Sequence, residues 1–141
     1  MSGAPAALLG LLFALISCRS EAARRLEGES EALGRRIDAV RNAPNEAKPE
    51  LLRALAAAAC ESAEACALRQ LCVSAYTRHL AALEGSARAR RLLAIPDGGT
   101  RASIDAARAL AEADLALAES RQQSERCAAE QGALRRRARE R

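Results

Sequence analysis

Aromatic side chains are nearly missing from this chain, which has one Phe (Phe13), one Tyr (Tyr76) and no Trp in 141 residues. Aromatics supply much of the burial in enzyme cores and the platforms on which unpaired bases stack, so both kinds of function lose support. There is one histidine (His79) and one lysine (Lys48), which leaves a single imidazole for proton transfer near neutral pH. No CxxC or HxxxH pair occurs, no GxSxG and no glycine-rich phosphate loop. His79 falls one turn from Tyr76 and two from Cys72, about 10 Å along a helix from the thiol, too far for a thiolate–imidazole pair. The expectation is a protein with no catalytic residues, no metal and no cofactor. A thiol enzyme using a free cysteine is a distant third reading.

What the chain does have is alanine, arginine, glutamate and leucine, a helix-forming mixture that makes thin interfaces. Its 22 basic and 18 acidic residues give a formal charge of +4 and are interspersed, as on solvated helix faces. Ala23, Leu26, Ser30, Leu33, Ile37 and Val40 recur at spacings of three and four, which predicts a helix over about 20–42 that Asn42 and Pro44 stop. Pro49 suits the first turn of a second helix, predicted over 49–93 with Leu51, Leu52, Leu55, Ala65, Leu68, Cys72, Tyr76, His79 and Leu83 on its inner stripe. "IPDGGT" is the clearest turn, with Thr100 placed to cap a last helix over 101–138. Ile104, Leu110, Leu117, Cys127 and Leu134 are that helix's larger apolar residues. Long helices joined by a short turn lie antiparallel. The predicted fold is all-α: an elongated antiparallel helical hairpin or three-helix bundle with alanine-rich, coiled-coil-like packing.

The start of the chain has a different character. Ala4 to Ser17 carries no charge and centres on "ALLGLLFALI", the length of a signal-peptide core and short of the ~20 residues of a spanning helix. Leu15-Ile16-Ser17-Cys18 closes it and resembles the lipobox of bacterial lipoproteins. That resemblance implies removal of residues 1–17, a lipid on the Cys18 thiol, an acylated (palmitate-type) amine and a mature chain of 18–141. It also implies a protein tethered to the cell envelope and facing the periplasm. Arg19, which is not aspartate, favours the outer membrane over the inner. The stretch departs from the pattern in having no Lys or Arg before the core and arginines (Arg19, Arg24, Arg25) after the cysteine.

Setting Cys18 aside leaves Cys60, Cys66, Cys72 and Cys127, an even set that reads as two disulfides in the oxidising compartment the lipobox implies. Partners across the long hairpin have numbers summing to about 195, and Cys72 with Cys127 comes within a turn of that register. Cys60–Cys66 follows by elimination. Six residues of continuous helix span ~9 Å, beyond the ~7 Å that a disulfide bridges. This pair therefore needs a break around "CESAEAC", with Ser62 capping the helix beyond it. Cys66–Cys127 is the competing cross-link.

The tail "RRRARER" places Arg135, Arg136, Arg137, Arg139 and Arg141 together. It reads as favourable charge fraying from a helix C-terminus, or as a contact for an anionic surface such as phospholipid or lipopolysaccharide. The functional expectation is a lipid-anchored scaffold or partner-binding module, held on the membrane at Cys18 and serving an unidentified envelope protein. The alternative is a cytosolic basic helical protein binding nucleic acid or another polyanion, with the opening stretch inside a core.

Overall fold

A computed structural model describes residues 20–96 and 98–141. The leader over 1–17 and the lipidation candidate Cys18 lie outside the described residues. Among the described residues the chain is all-α, with four helices: α1 (Glu21–Asn42), α2 (Lys48–Ala56), α3 (Ala63–Leu93) and α4 (Gly99–Glu140). Ser20 caps α1 by accepting from the Ala23 amide at 3.2 Å, and the predicted stripe from Ala23 to Val40 is buried along its full length. The long antiparallel hairpin is formed by α3 and α4.

The single helix expected over 49–93 is two helices. The chain leaves helical geometry at Ala57 and re-enters at Ala63, where the Ser62 hydroxyl accepts from the Ala65 amide at 3.3 Å. This break brings Cys60 and Cys66 to a Cα separation of 5.3 Å, within disulfide reach. Thr100 is not a cap. Gly98 holds the cap position without a side-chain bond, and Gly99 takes φ +59, a backbone region that a Cβ disfavours.

The hairpin has two different cores. In its lower half α1 and α2 pack on it, and Leu33, Ile37, Val40, Leu55, Cys72 and Leu134 are all but fully buried. Toward the tip only α3 and α4 remain among the described residues, and the seam is Ala89, Ala106 and Ala109 with Leu92 at its edge. Gly85 belongs to this seam: a Cβ there would lie 3.0 Å from Ala113 Cβ and 3.3 Å from the Ala109 carbonyl. Small residues let the two helices run this close, and little apolar area is buried in return. The large apolar residues expected to line the last helix divide accordingly. Cys127 and Leu134 are buried, Leu117 is half-buried, and Ile104 and Leu110 face solvent.

Candidate functional site

The two ends of the molecule differ in chemistry. At the base, opposite the hairpin tip, the start of α1, the start of α3 and the end of α4 converge. Arg25 of α1 donates to Glu61 at 2.9 Å, and Arg141 donates to Glu64 at 2.9 Å. The Glu29 carboxylate accepts from the Glu61 and Ser62 amides and so covers the open N-terminus of α3. Burial pushes the Glu29 carboxyl up. The Ser62 side chain, the two amides and the Arg25 charge outweigh that and hold it below the usual carboxylate range.

Because Ser20 begins α1 here, whatever precedes it in the chain is attached at this end. Cys18 is two positions earlier, within about 7 Å of chain reach. The five tail arginines share the end. They are not a frayed tail: α4 runs to Glu140, and Leu134 and Ala138 are buried among them. Arg135 pairs with Asp38 at 3.2 Å, Arg137 with Glu130 at 3.8 Å and Arg141 with Glu64 at 2.9 Å, and all five arginines but Arg137 are exposed. Beside them a groove is lined by Glu27, Ser30, Glu31, Arg35, Arg135 and Arg139. The Ser30 hydroxyl is buried there without a hydrogen-bond partner.

Asp38 ties α1 to α4. It accepts from Arg41 at 2.9 Å, Gln131 at 3.1 Å and Arg135 at 3.2 Å, and Gln131 in turn accepts from Arg41 at 2.9 Å. Burial raises the Asp38 carboxyl, but these donors and the arginine charges together hold it below the ordinary range. Sequence reasoning missed this network and Glu29, because exposed-looking charges on separate helices give no sign of whom they meet. Lys48 was missed too. Its ammonium is buried and donates to the Val40 carbonyl at 2.9 Å and the Arg41 carbonyl at 3.2 Å, closing the end of α1.

Among the described residues every cysteine is bonded, Cys60 to Cys66 and Cys72 to Cys127, the latter with Cα atoms 5.1 Å apart. The competing Cys66–Cys127 pairing is not formed. No thiol among the described residues is therefore available to His79, whose imidazole is pushed below its ordinary pKa by burial and by the Lys48 charge. No group of three or more His, Cys, Asp or Glu side chains among the described residues is placed to hold a metal ion. None of the described helices is long and apolar enough to cross a membrane. Set against known protein families, curated proteins and solved structures, the chain gives no match.

Proposed function

We propose that this chain is a bacterial lipoprotein, tethered through Cys18 and acting as a helical scaffold or partner-binding module in the cell envelope. The observation that carries the reading is the lipobox-like Leu15-Ile16-Ser17-Cys18 at the end of an uncharged apolar run, two residues before the cap of α1. Two disulfides support it, since such bonds persist outside the reducing cytosol. The arginine cluster supports it as well, because Arg135, Arg136, Arg137, Arg139 and Arg141 lie at the end of the fold that the anchor would hold against anionic headgroups. The outer membrane is the favoured site, from Arg19.

In this reading the protein performs no chemistry. Its mechanism is attachment at the base and presentation of the stapled hairpin, whose 42-residue α4 carries the tip about 60 Å from the anchor. A cytosolic polyanion binder would draw on the same arginines, but Arg135, Arg137 and Arg141 already face carboxylates of their own chain. Metabolic labelling with a clickable fatty acid tests the proposal. Label on the parent that is lost in Cys18→Ala supports it, and a parent that takes up no label overturns it.

A further inference from the structure

Helix α4 is apolar on two opposite sides. Ala106, Ala109 and Ala113 face α3 and are buried. Around the helix from them, Ile104, Ala107, Ala111, Leu115 and Ala118 follow at separations of three and four, and all are exposed. Ile104 is 55 % and Leu115 68 % accessible, values that belong to side chains with nothing packed on them. At about 100° per residue, Ile104 and Ala113 are half a turn apart, so the stripe looks directly away from α3. Helix α1 meets α4 lower down, around Gln131 and Arg135, and α2 does not meet it. An uncovered stripe of this spacing is one half of a helix–helix seam.

The charges beside the stripe specify the other half. Arg101, Arg108, Glu112 and Glu119 run along one of its edges at separations of seven, four and seven. Two cations followed by two anions become the complementary order when the helix is turned end for end. In an antiparallel pair about a two-fold axis, each edge faces its own copy. With the axis beside Leu110 and Ala111, Arg108 opposes Glu112 of the second chain and Arg101 opposes Glu119, each contact occurring twice. Along the stripe the same axis sets Ile104 against Ala118 and Leu115 against Ala107, large against small, and Ala111 against itself. Within one chain Arg108 lies 3.9 Å from Asp105, an exposed contact, and Glu119 pairs with Arg78. The second chain's Arg101 therefore joins Arg78 at one carboxylate.

We infer that two copies of this chain associate antiparallel through the outer face of α4, centred on Leu110 and Ala111. The product is a bar with a base at each end, the two bases about 90 Å apart. Both anchors reach one membrane when the bar lies along it. The pairing itself does not depend on the lipid.

The test uses the full chain carrying Cys18→Ser, so that its outcome concerns the helix face and not the anchor. Ala111→Cys is oxidised alongside Arg53→Cys, an exposed control on α2, and both are read on denaturing gels. Because Ala111 adjoins its own copy on the axis, it cross-links at least ~10-fold faster than the control at micromolar protein. In the Ala111→Cys chain, Arg108→Glu or Glu112→Arg alone turns two attractive contacts into two repulsive ones and slows cross-linking roughly tenfold. The double swap Arg108→Glu/Glu112→Arg restores the parent rate. Arg53, Arg108, Ala111 and Glu112 are all exposed, and helical circular dichroism verifies the fold. Equal rates for Ala111→Cys and Arg53→Cys overturn the inference, as does a double swap no faster than the single reversals.

Discussion

Removing the Cys72–Cys127 bond is the perturbation whose size the structure fixes most closely. The bond closes a loop of 55 residues between α3 and α4, and the chain-entropy relation for that length gives about 4 kcal/mol. Both cysteines are fully buried, so Cys72→Ala/Cys127→Ala also loses the packing of two sulfur atoms, roughly a further 1 kcal/mol. The Cys60–Cys66 loop spans six residues, for which the same relation gives about 2 kcal/mol. A small domain is stable by about 5–15 kcal/mol, so loss of the long staple takes a large share and loss of the short one a modest share. Urea titration of oxidised parent and both double variants, followed by helical circular dichroism, measures this. The midpoint falls further for the long-loop variant, and its m-value rises as the denatured chain expands. A loss below about 1 kcal/mol for Cys72→Ala/Cys127→Ala, or a larger loss for Cys60→Ala/Cys66→Ala, would refute the reasoning.

Two glycines separate helix propensity from packing. Gly28 has open space where a Cβ would go, so Gly28→Ala stabilises by up to about 1 kcal/mol, whereas Gly85→Val meets Ala113 and the Ala109 carbonyl and destabilises by about 1–3 kcal/mol, both read as shifts in melting temperature. Lys48→Met leaves the Val40 and Arg41 carbonyls without their donor and costs about 1–2 kcal/mol by urea titration. Glu29 is held below its unfolded pKa of ~4.3, so its stabilisation is complete above that value and is lost as pH falls through the folded one. Glu29→Gln therefore destabilises by about 1 kcal/mol at neutral pH and converges on the parent in acid, and a gap that persists unchanged at pH ~3 would contradict the assignment.

The hairpin was legible because its signals are local. Periodic leucines, the Pro44 and Pro49 punctuation and the "IPDGG" turn each act over a few residues. Hairpin register, simple arithmetic on residue numbers, was enough to pair Cys72 with Cys127. The break between α2 and α3 was harder to place. Nothing in "ALAAAACESAEAC" opposes helix strongly, and Ser62, Glu29 and the Cys60–Cys66 bond act together only once α1 has folded back. The outer half of α4 misleads any reading that equates large apolar residues with core. Alanines make the close seam there, and Ile104 and Leu115 point outward. Lys48 was legible as a compositional oddity but not as a cap, since its partners are carbonyls seven and eight residues earlier. Of the candidate site, the arginine cluster could be read from the sequence. Its carboxylate partners Asp38 and Glu64 could not, because they lie on other helices.

The intact mass of the protein from its native membrane fraction is the direct test of the lipid anchor proposed at Cys18. The expected species begins at Cys18, lacks residues 1–17 and carries the added mass of a diacylglycerol and an acyl group. A soluble chain with an intact, unmodified Met1 terminus would contradict it.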